Sequence, residues 1–261
     1  MAEVQDAKDR VRRQYGAAGD AYVTSPGHAG GDDLARMIEL AAGQPHERAL
    51  DIATGGGHVA KALAPHVAEV VATDLTPEML VSAERFITGA GIGNVRFELA
   101  DAESLPFPEA SFDIVTCRIA PHHFPHPERF VRESARVLRA GGRFLLLDST
   151  VPAGEAGERY NHFEQLRDPS HVRSLTIEEW TDLIDQAGLG LRVVESFSKR
   201  HVFRDWAARA RVPDRDLVRL AALLLDGGPA MADAFRVECD GDELLAFTDL
   251  KTLFVAIKPV S

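Results

Sequence analysis

From Glu47 to Ser149 the chain alternates short apolar runs with stretches of helical periodicity, and this alternation constrains the fold more than any other feature. RALDIA, EVVATD, VRFELAD, SFDIVTCR and GRFLLLDST read as strands. The segments His58 to Ala64, Pro77 to Thr88 and Pro127 to Leu138 read as helices. Pro127 suits the first turn of the last one, and Gly141-Gly142 can end it. Strands that are apolar throughout and separated by helices form a parallel sheet covered on both faces. An α/β fold is therefore expected.

Beyond Thr150 the pattern loosens. Thr176 is placed to cap a helix, with Glu179 completing a capping box. LRVVESFSK reads as a sixth strand, Arg204 to Phe235 as two or three short helices or turns, and TLFVAIK as the closing strand. FRVECDGDELLAF before it reads as a hairpin turning at Asp240-Gly241. Residues 1–42 form an expected N-terminal cap, helical at both ends around TSPGHAGG. Residues 43–261 form one domain, with 150–175 and 203–235 as inserts.

Asp51-Ile52-Ala53-Thr54-Gly55-Gly56-Gly57 joins the first strand to the first helix. Glycines let backbone turn tightly and approach a ligand with no Cβ in the way. The helix that follows opens with unpaired N–H groups. Alone, the loop suits a dinucleotide, a phosphate or an adenosyl amino acid. Gly55-x-Gly57-x-x-Ala60 even satisfies a nicotinamide fingerprint, with Asp74 near the ribose-binding distance. The acids narrow this choice. Asp51, just before the loop, repels a pyrophosphate and attracts an ammonium. Asp74 ends the second strand and can accept both ribose hydroxyls; helix capping is its other role, in competition with Thr76. Asp101 ends the third strand and can accept from an adenine amino group. Three acids at the carboxyl ends of successive strands converge where open α/β sheets bind ligands. S-adenosylmethionine, with an ammonium, a sulfonium and no phosphate, fits this set.

ALDIATGGGHVA, VVATDLTPEML, ADAESLPFPEASFDIVTCR and RVLRAGGRFLLLDST resemble the successive motifs of class I S-adenosylmethionine-dependent methyltransferases. They are similar to the ubiquinone/menaquinone methyltransferase group and more so to its YcgJ-like branch. There the fourth-strand motif reads CRxAxHHF, as from Cys117 to Phe124 here, and LRDPSHVR from Leu166 to Arg173 also matches. The resemblance implies a Rossmann-like seven-stranded sheet with helices on both faces. Its last strand is antiparallel, between the fifth and sixth, and the inserts lie over the substrate pocket. It implies that Asp51, Ala53, Thr54, Gly55 and Gly57 line the methionine end of the cofactor. Asp74, Leu75 and Met79 would meet the ribose, Asp101 and Ala102 the adenine, and Cys117 and Arg118 would lie below the sulfonium. Ala53 departs from the pattern, since many relatives carry glycine there. The expected product is S-adenosylhomocysteine.

Methyl transfer is an in-line displacement that needs an aligned nucleophile and, for a hydroxyl or carbon acid, a base. Histidine titrates near neutrality, which makes His122, His123 and His171 the candidate catalytic residues. Adjacent residues in extended backbone point apart, so one of His122 and His123 is expected to face the site. The methyl group is expected to point towards Arg118 to Phe124. His126 nearby completes no carboxylate or cysteine pattern, and no metal is expected. Asn161, Arg167 and Arg173 in the first insert, with Tyr22 and His28 in the cap, are candidate substrate-binding residues. Phe203, Trp206, Leu220, Leu223, Leu224, Met231 and Phe235 are expected to be mostly core.

The net charge is −11, from 29 basic and 40 acidic residues, which disfavours a nucleic-acid substrate and favours a small-molecule acceptor. No apolar run reaches transmembrane length, so no membrane partner is expected. The charged N-terminus lacks the apolar core of a signal peptide, and two distant cysteines suit a reduced compartment; a cytoplasmic location follows. A homodimer is the assembly expected if the chain self-associates. Two other functions stay open. One is a nicotinamide-dependent oxidoreductase, although a Tyr-x-x-x-Lys pair is missing, since Tyr160 is followed four residues later by Glu164. The other is a family member that binds the cofactor without methylating.

Overall fold

A computed structural model describes residues 2–16, 31–210 and 212–260. Tyr22 and His28, named above, lie outside the described residues. Among the described residues eight strands form one sheet. They are β1 (Arg48–Ile52), β2 (Glu69–Asp74), β3 (Val95–Leu99), β4 (Phe112–Arg118), β5 (Leu138–Thr150), β6 (Gly190–Val202), β7 (Glu238–Asp240) and β8 (Glu243–Ile257). The order is β3-β2-β1-β4-β5-β8-β6, with β7 paired to β8. Strands β1 to β5 run parallel, while β8 enters antiparallel between β5 and β6. The closing strand thus has the expected place and direction. The eighth strand is the short hairpin arm β7, whose turn is Gly241-Asp242, one residue later than expected.

Described helices are α1 (Ala2–Gly16), α2 (Asp32–Ala41), α3 (His58–Leu63), α4 (Pro77–Gly89), α5 (Pro127–Val137), α6 (Glu155–Arg167), α7 (Ile177–Gln186), α8 (Phe203–Arg209), α9 (Asp214–Leu225) and α10 (Gly228–Phe235). The sheet separates two apolar layers because successive strand residues face opposite sides. On β5, Phe144 and Leu146 join one layer with Phe130 and Val131 of α5 and Trp180 of α7. Leu145 and Leu147 join the other, with Met37 of α2, Leu63 of α3 and Ile87 of α4. Burial on both faces explains why β1, β2 and β4 read as continuous apolar runs. At Thr176 the capping box forms: its hydroxyl accepts from Glu179 N at 3.1 Å and Glu179 accepts from Thr176 N at 2.8 Å.

Helices α6, α8, α9 and α10 form a third apolar cluster against the first residues of β8. Tyr160, Phe163, Trp206, Leu220, Leu224, Met231, Phe235 and Phe247 are its buried centre, with Leu223 half-buried beside them. Phe163 stacks on Trp206 with ring centroids 4.5 Å apart, and Tyr160 stacks on Phe235 at 4.2 Å. Helix α6 packs on this cluster, and its C-terminal end carries Glu164 and Arg167 to the cavity at the carboxyl end of β5, where the antiparallel β8 contributes Asp249 and Lys251. Among the described residues no helix is long and apolar enough to cross a membrane.

Candidate active site

A cavity of about 490 Å³ opens at the carboxyl ends of the parallel strands. Its outer half is walled by the glycine loop and by the ends of β2 and β3. Asp51 is fully buried in that wall. Its carboxylate accepts from Thr54 Oγ1 at 2.6 Å and from Thr116 Oγ1, on the neighbouring β4, at 2.8 Å. Loss of solvent pushes its pKa up to about 6, against those hydroxyls. A cationic ligand would offset that cost, as the chemistry of a sulfonium amino acid requires. Asp74 accepts from Gly55 N at 3.0 Å and Thr76 N at 2.9 Å, and burial raises its pKa too. Asp74 thus ties the glycine loop to the turn before α4 and lines the cavity, while the N-cap position of α4 belongs to Thr76. Asp101 accepts from Glu103 N and pairs with Lys8 of α1 at 2.6 Å; Lys8 also reaches Glu103 at 2.6 Å.

Ala53, Thr54, Gly55, Leu75, Met79, Ala102 and Arg118 line the same cavity. Ala53 has φ +52, a left-handed conformation in which relatives with glycine are unstrained. Two candidates for the cofactor wall are placed elsewhere. Gly57 turns away: a Cβ there would meet Ile87 Cδ1 at 2.9 Å and Ala83 Cβ at 3.1 Å, so this glycine seats the loop on α4. Cys117 points into the apolar layer and is fully buried in it, because along β4 it alternates with Arg118, which reaches the cavity and pairs with Asp33 of α2 at 2.8 Å.

The inner half collects the histidines. Chain direction changes at Ile119, a β-branched residue at φ +53, where such a conformation is a genuine outlier. A 3-10 turn, Pro121–His123, follows. In that turn His122 and His123 both line the cavity, with ring centroids 4.1 Å apart; the extended backbone assumed from sequence does not hold. His171 joins them, stacked on His122 at 5.3 Å. Each ring is held differently. His122 Nδ1 lies 2.7 Å from Asp148 Oδ1, and its backbone N–H donates to Asp148 Oδ2 at 2.7 Å. His123 Nδ1 lies 3.0 Å from the Ser170 carbonyl and Nε2 2.8 Å from the Tyr15 hydroxyl. His171 Nε2 lies 2.9 Å from Asn161 Oδ1. Burial, reinforced by the neighbouring rings, holds His122 well below the usual histidine range and His171 at about 3.

Asn161 is buried and orients His171 from behind, also accepting from Ser174 N at 2.7 Å; it does not line the cavity. Arg173 leaves the site altogether. Its half-exposed side chain pairs with Glu179 on α7 at 2.7 Å, since the LRDPSHVR loop turns outward after His171. Arg167 does reach the cavity, lying 4.5 Å over the Trp206 ring and pairing with Glu164 at 2.8 Å. Lys8, Asp148's neighbour Ser149, Lys251 and Glu164 are among the further polar groups on the wall. Lys251 is buried and donates to Ser149 Oγ and, at 2.8 Å, to Asp249. Asp148 carried a readable signal, an acid ending an apolar strand as Asp51 and Asp74 do. Lys8 and Lys251 carried none, being ordinary lysines in ordinary helix and strand patterns.

A family model described as a methyltransferase domain matches residues 50–146. The uncharacterized methyltransferase YcgJ of Bacillus subtilis is 42% identical over 190 residues, covering 72% of this chain and 75% of that protein. The ubiquinone/menaquinone biosynthesis C-methyltransferase of Ectopseudomonas mendocina is 41% identical over 119 residues, 44% of this chain and 46% of that one. A crystal structure of a methyltransferase from Bacillus halodurans C-125 superposes with a TM-score of 0.85 at 39% identity, covering 88% of this chain and 100% of the other.

Proposed function

Because this chain belongs to the class I S-adenosylmethionine-dependent methyltransferases, we propose that it methylates a small molecule held in the inner half of the cavity, against His122, His171 and Arg167. The nicotinamide reading of the glycine loop falls with that membership. When bound, S-adenosylmethionine supplies an electrophilic methyl group on a sulfonium leaving group. Asp51, Ala53, Thr54 and Gly55 are the residues that would hold its methionine end, Asp74, Leu75 and Met79 its ribose, and Asp101 and Ala102 its adenine. His122, His123 and His171 take the catalytic and substrate-facing positions, and Arg167 contributes a fixed cation to the acceptor wall. Arg118 closes the boundary between the halves.

The observation that carries this reading is continuity: one cavity wall runs from Asp51, Asp74 and Asp101 to the three histidines. Enclosure on this scale suits a small ligand, whose surface a pocket can largely bury. The net charge of −11 argues in the same direction. Both cysteines are unpaired, Cys117 buried and Cys239 exposed, which accords with a cytoplasmic enzyme. The test is incubation of the purified chain with methyl-labelled cofactor and a small-molecule extract. Label transferred to a low-molecular-weight product is expected. Label found only in protein or nucleic acid would defeat the proposal, as would failure to bind S-adenosylhomocysteine.

A further inference from the structure

The three histidines of the inner half differ in what each can do with a proton. His123 has both ring nitrogens committed, one to the Ser170 carbonyl and one to Tyr15. Since a carbonyl only accepts, its Nδ1 carries the hydrogen, and Nε2 is covered by the tyrosine hydroxyl. His171 gives its Nε2 hydrogen to Asn161 Oδ1, which also accepts from Ser174 N while the amide nitrogen donates to the Ser174 carbonyl. That partner is a neutral amide and offers no charge to an imidazolium. His122 alone is backed by an acid. Asp148 is fully buried and grips it twice, at Nδ1 and at the backbone N–H, both at 2.7 Å. Burial raises Asp148 to about 6, so it is ionised at neutral pH and its oxygens accept. Nδ1 therefore bears the hydrogen, and Nε2 keeps its lone pair with no hydrogen-bond partner among the described residues. The ring lines the cavity.

We propose that Asp148 is a positioning residue that fixes His122 as a general base, and hence that the methyl acceptor is a proton-bearing nucleophile: a hydroxyl, an N–H or an acidic C–H. This rests on the reading that the cavity methylates a small molecule. His122 Nε2 takes the acceptor's proton as the acceptor's electron pair forms the new bond to the methyl carbon. The carbon–sulfur bond breaks, and its electron pair stays on sulfur, which becomes neutral. The proton leaves the acceptor for His122, whose imidazolium is balanced by Asp148, and passes afterwards to solvent. Around the pair stand His123, His171, Lys251, Glu164 and Asp168. His123 and Lys251 oppose a lasting positive charge on His122, which favours return of the base to its neutral form. A tertiary amine or thioether acceptor needs no such base and ends as a fixed cation.

The Asp148→Asn variant gives a sharp test. The His122 backbone N–H can only donate, so it keeps the asparagine oxygen beside it. The amide nitrogen is then left facing Nδ1 and forces the hydrogen onto Nε2, the inversion of tautomer that disables a histidine base. Imidazole ¹⁵N spectra of the S-adenosylhomocysteine complex read this directly, with His122 assigned by its loss in His122→Gln. Wild type is expected to show His122 protonated on Nδ1 and bare on Nε2; Asp148→Asn is expected to show the reverse, with cofactor affinity within about twofold. If wild-type His122 carries its hydrogen on Nε2, the proposal is overturned whether or not the variant folds. An unchanged tautomer in a folded variant overturns it too, as does a methylated product bearing a fixed onium charge. Failure of the wild type to bind S-adenosylhomocysteine would instead defeat the reading of function beneath it.

Discussion

Asp51 stores a cost that only a ligand removes. Its carboxylate is buried, and its pKa is raised from an ordinary 3.8 to about 6. A group whose folded pKa is raised adds stability below its unfolded pKa and loses it as pH rises through the folded one. Asp51→Asn should therefore unfold at a higher temperature than wild type above pH 6, by on the order of 1–2 kcal/mol for a neutralised buried charge. That difference should vanish below pH 4, while cofactor affinity falls; denaturation at several pH values and cofactor titration measure the two effects. For Asp74→Ala the loss of charged hydrogen bonds should weaken cofactor binding by ~1–3 kcal/mol. Because Asp74 also holds Gly55 N and Thr76 N, its variant should be less stable without ligand as well. Affinity equal to wild type would show a purely local role. At Ala53, φ +52 predicts that Ala53→Gly relieves strain of roughly 1 kcal/mol, partly offset by the entropy of glycine, so equilibrium denaturation should show a small gain or none. These residue-scale features differ in legibility. The acids stand out from apolar strands, whereas the departure at Ala53 was visible but its positive φ needed coordinates.

At the scale of elements, α1 is the piece whose role the chain's local pattern did not show. It lies along the cavity and is tied to the site at its middle by Lys8 and in its last turn by Tyr15. Lys8 pairs with Asp101 and Glu103, and the Tyr15 hydroxyl meets His123 and Asp168, the latter at 3.1 Å. Losing Lys8 leaves two carboxylates without their partner, a cost of ~1–3 kcal/mol. In a Lys8→Met, Tyr15→Phe double variant, amide exchange should quicken along α1 and not in β1 or β4. Release of S-adenosylhomocysteine should speed up several-fold. Unchanged exchange in α1 would mean that apolar packing holds it. The inserts tell a similar story. No local pattern could say that α6 delivers Arg167 to the cavity while Arg173, six residues on, leaves for α7.

For the whole molecule, binding at a cleft that joins most strands of the sheet should couple to global stability. Saturation with S-adenosylhomocysteine at about a hundred times its dissociation constant adds ~2.7 kcal/mol, or roughly 5–10 °C in a domain of this size, readable by calorimetry. No shift would mean that the acids do not form a cofactor site. The class of fold and the acids that line the cavity were legible in the chain itself, because they rest on local patterns, strand periodicity and acids at strand ends, whereas the place of the last strand came from the resemblance to a family. The β7 arm was legible as a hairpin, though its turn came one residue later. What only the tertiary structure decided is the assignment of partners at the inner end. Asp148 lies 26 residues from His122, Tyr15 lies 108 from His123, and Asp168 lies 153 from Tyr15. No local pattern constrains pairs so far apart. Which histidine meets an acid, an amide or a hydroxyl is settled by how the loops pack over the sheet, and that packing makes three similar imidazoles chemically distinct.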